Sequence, residues 1–353
     1  MQFDIFTLLM SIVWVSIFIQ VISLLRRQMH FLHYFSISPL LLILLFCMAR
    51  ILFPVEFPFT RVIASFRILP YIQSLLYYEM IRTGFIQLSV GSIIVLVWIS
   101  GIIFSIFKHI KSYYLFRRFV DFLPMTEEEH VYDIFLQTKP RFALKTTKII
   151  IHDAIKSPAI FGLLRPVILL PALPFSDDEL LGIFVHESAH YYYGHLIIKY
   201  ITEFIRSCFW WNPCFRNLSL EMAHALEMHS DKKVCNKLDD IQQKTYLTCI
   251  ANIADHIHTS PRSVTCSLVE EGNGEKLIQR YDMILNDFYR KKKKCNFLII
   301  PLLIMMFLLS YSFLLQPYSF PTPEDMEPHD ELFIETDEDY ELRISDINLE
   351  DTE

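Results

Sequence analysis

Four stretches of the chain are apolar over nearly their whole length: Ile5–Leu25, Ile37–Phe53, Ile86–Phe107 and Phe297–Leu315. A helix that crosses a bilayer needs about 17–25 such residues, so each is expected to span a membrane, the second at the lower limit of length with Arg50 near one end. Between the third and fourth runs the pattern breaks into shorter pieces. Lys145–Ile151 (KTTKIII) is β-branched and strand-like, and Ser157–Pro171 (SPAIFGLLRPVILLP) reads as two short strands joined near Gly162–Arg165. Ser176-Asp177-Asp178-Glu179 is a capping box that opens a helix over 177–195. A second helix, over 213–235, follows Trp210-Trp211-Asn212-Pro213. Loop 54–87 is rich in Phe, Tyr and Ile with scattered arginines, which suits either a helix lying in the membrane interface or a packed outer loop.

The first apolar run lacks a basic segment before it and is followed by Arg26-Arg27 where a signal peptide would have small residues, so it reads as an uncleaved anchor. Lysine and arginine collect on the cytoplasmic side of membrane helices. Arg26 and Arg27 follow the first run, Lys108, Lys111, Arg117 and Arg118 follow the third, and Arg290 with Lys291–Lys294 precede the fourth. All of these fall inside if the N-terminus is outside, leaving Arg50, Arg61, Arg67 and Arg82 outside. The Lys291–Lys294 run reads as a topology anchor, with a lipid contact or a processing site as the alternatives. The expected organisation is three transmembrane helices in 1–110 with outer loop 54–87, a cytoplasmic domain over 111–294, a fourth transmembrane helix in 295–316 and a short extracellular tail over 317–353.

Composition agrees with a membrane protein. The 353 residues are 53% hydrophobic and 20% charged, against about 45–50% and 25% in soluble domains, which excludes a disordered, collagen-like or coiled-coil chain. The net charge of −7 hides a segregation: the tail carries 14 acids against Arg343, so the remaining residues carry +6. Those bases flank apolar runs and do not form a patch on a folded domain, so direct nucleic-acid binding is not expected. The tail's charge and low hydrophobicity favour disorder, although Tyr340, Leu342 and Ile344 alternate with Glu341 and Arg343 as a docking strand would. Seven cysteines without C-x-x-C spacing read as packed thiols, neither a disulfide framework nor a thiolate metal site.

The candidate chemistry lies in His186-Glu187-Ser188-Ala189-His190. Histidines four apart share a helix face, so His186 and His190 can offer imidazole nitrogens to one divalent ion, and Glu187 is placed to act on a water beside it. Chance gives about 0.05 matches to this pattern in a chain of this composition, and two surface histidines on an amphipathic helix are the alternative. Catalytic zinc takes three protein ligands and keeps one position open. A third ligand at i+10 is not available, because Tyr193 and Leu196 occupy the positions where Gly and His would be needed and His195 is out of register. Glu227, in Glu227-Met228-His229-Ser230-Asp231, is the better candidate: Asp231 shares its face and can accept the N–H of a ligand histidine, fixing its tautomer. Glu203, on the connecting segment, and Glu221, without an aspartate partner, are weaker, and His224 and His229 read as ordinary or supporting residues.

The ordered set SPAIFGLLRPVILLP, HESAH, WWNP and EMHSD, with three apolar runs before it and one after, resembles the BlaR/MecR-type antirepressor membrane metallopeptidases over about residues 1–316. The resemblance implies a multi-pass α-helical membrane protein whose cytoplasmic domain is a mainly α (α+β) zinc metallopeptidase of the H-E-x-x-H glutamate-ligand type. It implies one zinc ion per chain held by His186, His190 and Glu227, with Glu187 as the catalytic base and Asp231 behind the ligands. His195 and Ser230 depart from the family, which often has aspartate and cysteine there. The family's antibiotic receptors carry a penicillin-binding domain after the last span. Only 37 residues follow Gln316, and none forms an S-x-x-K motif, so sensing by acylation is not expected of this chain. An outside partner, loop 54–87 or the tail would supply the signal.

The expected function is therefore a membrane-anchored zinc endopeptidase in signal transduction, cleaving a cytoplasmic protein. By resemblance that protein is a winged-helix repressor of the BlaI/MecI type or the peptidase itself. A membrane quality-control protease and a non-catalytic receptor with structural zinc are the alternatives, the latter requiring a fourth protein ligand such as His195 or His229.

Overall fold

The computed structural model describes residues 5–27, 37–55, 57–65, 68–83, 86–126, 128–138, 148–259, 279–282, 284 and 299–317. Lys145–Thr147, the Lys291–Lys294 run and the acidic tail beyond Pro317 lie outside the described residues. Contacts divide the chain into two units, one of residues 1–61 with 92–314 and one of 62–91 with 315–353.

The larger unit contains the sequence motifs. Its N-terminal helices are α1 (Ile5–Arg27) and α2 (Ile37–Leu52), which pack on each other. Arg50 of α2 is buried, donates from Nη2 to the Ser310 carbonyl at 3.2 Å and lies 4.0 Å over the Tyr311 ring, so it is not a flanking surface charge. Three strands form one small sheet, β4 (Lys148–Ile151), β5 (Ala159–Phe161) and β6 (Val167–Leu170), in the order β4-β6-β5. β6 runs parallel to β4 and antiparallel to β5, with Ile168 opposite both Ile149 and Ile160. All four residues of β6 are buried, as expected of a central strand. Gly162 makes the turn after β5 possible: its φ is +96° and a Cβ there would lie 2.6 Å from the Arg165 carbonyl oxygen.

The helices α6 (Asp177–Tyr192), α7 (His195–Cys208), α8 (Pro213–Cys235) and α9 (Asp240–Thr259) build the rest of the domain. Every residue from Leu180 to His190 is buried, which makes α6 the core helix. It packs against α5 (Glu129–Thr138), α7, α8, α9 and β5. Ser176 caps it as the sequence predicts, accepting from the Glu179 amide while the Glu179 carboxylate accepts from the Ser176 amide at 2.9 Å. Such a cap contributes about 0.5–2 kcal/mol. Asn212 and Pro213 start α8 by the same logic, a side-chain cap on the Cys214 amide and proline where no amide donor is needed. Trp210 packs on Gly101 of α4 (Val90–Phe122), where a Cβ would fall 2.2 Å from its Nε1.

The smaller unit holds most of loop 54–87. It contains β1 (Arg61–Ser65), α3 (Ile68–Tyr77) and an antiparallel hairpin of β2 (Glu79–Thr83) with β3 (Ile86–Ser89). Here the apolar pattern misleads. Ile86–Ser89 reads as the start of the third span, yet its alternation Ile-Gln-Leu-Ser pairs it in the hairpin, and the helix begins at Val90. The fourth run likewise ends early, as α10 (Ile299–Ser312) followed by strand β7 (Phe313–Pro317), which pairs with β1. Among the described residues two helices are long and apolar enough to cross a membrane, Phe6–Arg26 and Val90–Phe122; α2 and α10 have 16 and 14 residues.

Candidate metal centre

α6 and α8 place the motif residues face to face. One turn apart on α6, His186 and His190 are 7% and 4% exposed, and they meet Glu227 of α8 from across the interface. His186 Nε2 lies 3.1 Å from His190 Nε2 and 3.3 Å from Glu227 Oε2, and His190 Nε2 lies 3.5 Å from the same oxygen. Tetrahedral ligands about 2.0–2.1 Å from one zinc ion sit about 3.3 Å from each other, so these three separations fit a single ion. Among the described residues this is the one group of three or more His, Cys, Asp or Glu side chains with ligand atoms so close together. The other oxygen of Glu227 accepts from Lys199 Nζ at 3.2 Å.

The back of His186 is held as firmly as its front. Its Nδ1 lies 3.1 Å from Asp231 Oδ1 and 2.7 Å from the Tyr246 hydroxyl, which itself donates to Asp231 Oδ1 at 2.8 Å. Arg280 completes the cluster with two hydrogen bonds to Asp231, Nε to Oδ2 at 2.7 Å and Nη2 to Oδ1 at 2.9 Å, and its Nη1 is 3.8 Å from Glu227. Gly182 makes room: a Cβ there would sit 2.9 Å from Tyr246 Cδ2.

The electrostatics follow from burial and partners. Burial alone would depress His186, but hydrogen bonds to Asp231 and Glu227 outweigh it and lift the group to about 9. His190 goes the other way, to about 4, because burial exceeds the attraction of Glu227. Burial pushes the carboxyls of Glu227 and Asp231 upward, yet both end well below the carboxylate range, Glu227 through His190 and Lys199 and Asp231 through Arg280 and His186. Glu187 is raised, chiefly by burial, with the Glu227 charge adding to it. A buried carboxylate with a raised pKa beside such a histidine pair is suited to accept a proton.

His195 and His229 stand outside the group of His186, His190 and Glu227. α6 ends at Tyr192, Gly194 adopts φ +70°, and His195 opens α7. His195 Nδ1 then lies 3.2 Å from His190 Nδ1, and its Nε2 lies 2.9 Å from His229 Nδ1. Glu221, the rejected third-ligand candidate, is an ion-pair partner of Arg26 and accepts from Ser23 at 3.2 Å. Tyr246, Arg280 and Lys199 join the site from elements with no spacing relation to the motif, so the sequence pattern does not single them out.

A family model described as BlaR1 peptidase M56 matches residues 6–284. The chain belongs to that family. Curated relatives include the regulatory protein BlaR1 of Bacillus licheniformis, 27% identical over 146 residues, which cover 40% of this chain and 24% of the relative. The methicillin resistance mecR1 protein of Staphylococcus aureus (strain Mu50) is 24% identical over 208 residues, 57% of this chain and 33% of the relative. The regulatory protein BlaR1 of Staphylococcus aureus is 26% identical over 233 residues, 63% and 38%. The matched segments thus span about a quarter to two-fifths of these relatives. None of the five described cysteines is in a disulfide, in keeping with their lack of a sequence framework.

Proposed function

We propose that this member of the BlaR1 peptidase M56 family is a membrane-anchored zinc metalloendopeptidase acting in signal transduction. The observation that carries the reading is the closure of His186, His190 and Glu227 to mutual distances of 3.1–3.5 Å beside buried Glu187. His186 Nε2, His190 Nε2 and Glu227 Oε2 would hold one zinc ion. When bound, that ion supplies Lewis acidity, polarising the scissile carbonyl and making water a stronger acid. The chain's own residues do the rest. Glu187 takes the proton of the attacking water and returns it to the leaving amine. Asp231 holds the proton of His186 on Nδ1, which leaves Nε2 as the donor atom. Lys199 fixes Glu227 by its outer oxygen. A closed structural site would need a fourth protein ligand, and the hydrogen bonding of His195 to His229 argues instead for an open position.

β5 gives the substrate a place. It has one neighbour in its sheet among the described residues, and the Ile160 backbone interacts with Glu187. An extended peptide added to that edge would run past the general base. The membrane assignment is supported by the 18-residue apolar window of α4, none of which is buried: Ile94, Leu96, Val97, Ile103 and Phe104 are all more than half exposed. A water-soluble protein seldom leaves so continuous an apolar surface uncovered. Lys108, Lys111, Arg117 and Arg118, in the C-terminal part of α4, support a reading with the catalytic domain in the cytoplasm and the tail outside. The substrate is a cytoplasmic protein, a winged-helix repressor of the BlaI/MecI type or the chain itself, in line with the regulatory names of the relatives. The test is a comparison of cellular protein N-termini between wild type and Glu187→Gln: new N-termini confined to wild type support the function, and identical sets contradict it.

A further inference from the structure

We propose that His190, His195 and His229 form a relay of neutral imidazoles that holds His190 in its metal-ligating orientation. The inference rests on the metal reading of the site. To ligate, His190 must present an unprotonated Nε2 toward His186 and Glu227, and a neutral imidazole then carries its proton on Nδ1. That nitrogen lies 3.2 Å from His195 Nδ1. His195 therefore accepts there with the one lone pair of that nitrogen, which the Ser230 hydroxyl, 3.2 Å away, can only share. The proton of His195 is left on Nε2, 2.9 Å from His229 Nδ1, which accepts in turn. Placing a proton on His195 Nδ1, in a neutral or a charged ring, would set two N–H groups against each other. The tautomers of all three residues follow from the metal-facing nitrogen of the first.

The backbone is built for this contact. On a continuous helix a residue five positions on lies about 140° round the axis, so His195 could not return to His190. The break at Gly194, with φ +70°, redirects the chain and buries His195 at 1% exposure. His190 and His195 meet edge to face, ring centroids 5.0 Å apart at 84°. A neutral acceptor behind a ligand histidine contrasts with the carboxylate behind His186, so the two imidazoles would donate unequally to the ion. His195 acts through His190 and is a positioning residue.

The experiment measures zinc affinity by chelator competition, zinc content, and the visible spectrum of the cobalt-substituted protein, on the full chain in detergent. His195→Phe should weaken zinc binding about ten- to a hundredfold and shift the cobalt bands, while His195→Asn, which keeps an acceptor near the Nδ1 position, should restore both. His229→Phe leaves His195 in place, so it reads the relay from its outer end even where His195→Phe does not fold, and a several-fold loss is expected. Unchanged affinity in His195→Phe or in His229→Phe would overturn the relay. Equal weakening in His195→Phe and His195→Asn would also overturn it, by showing that the ring packs and does not accept. So would a zinc content falling from two to one in His229→Phe, which would make the pair a second metal site. Absence of zinc binding by the wild type would instead remove the metal reading on which the relay stands.

Discussion

Asp231 Oδ1 lies 3.1 Å from His186 Nδ1, while the other nitrogen of that ring faces Glu227 at 3.3 Å. The aspartate is fully buried, and Arg280 holds it by two hydrogen bonds. Asp231→Asn keeps the shape but removes the charge that balances Arg280 and, in the proposed site, fixes the His186 tautomer. Zinc affinity should fall about ten- to a hundredfold, and stability by about 3 kcal/mol, the low end for a broken buried pair because Arg280 keeps some solvent contact. Chelator competition and thermal unfolding measure the two effects; a loss of stability with unchanged zinc affinity would reduce Asp231 to a structural role.

Gly182 sets two effects of opposite sign against each other. Alanine in a helix interior gains about 0.5–1 kcal/mol over glycine, but its Cβ would stand 2.9 Å from Tyr246 Cδ2, and overpacking a tight core costs about 1–3 kcal/mol. Overpacking should win, and the displaced Tyr246 hydroxyl should loosen its hold on Asp231 and His186. Gly182→Ala is expected to lower both the melting temperature and the zinc affinity.

Ser176→Ala separates folding from chemistry. It removes the cap of α6 and should cost about 0.5–2 kcal/mol. The proposed ligands lie ten or more residues further on, so zinc affinity measured on the folded fraction should not change.

The part of the centre written locally was legible in the sequence. His186 with His190, and Glu227 with Asp231, are i, i+4 pairs, and helical geometry alone puts each pair on one face. The capping box at Ser176 fixed where α6 begins, and Trp210-Trp211-Asn212-Pro213 marked the start of α8. Tyr246 and Arg280 reach the site through packing of α9 and of residues 279–282 and 284 on the core, which no spacing encodes. His195 was legible as out of ligand register, but its return to His190 depends on the left-handed turn at Gly194. The apolar runs marked where helices lie but not their ends: at Ile86–Ser89 alternation, and not apolarity, decided for a strand.

The proposed topology makes a separate prediction. A reporter fused after Glu353 should be active outside the cell, and one inserted in the catalytic domain, between α8 and α9, should be active in the cytoplasm. The same side for both would overturn the assignment.

The central claim is hydrolysis by a zinc site with Glu187 as its base. The direct measurement is cleavage of a peptide library by the purified, zinc-loaded full chain, wild type against Glu187→Gln at matched zinc content. A general base contributes about 10²–10⁴ in rate, so the variant should keep its zinc and lose at least about a hundredfold in cleavage rate. Equal cleavage by the two proteins, or full zinc occupancy with no cleavage of any peptide by the wild type, would contradict the account.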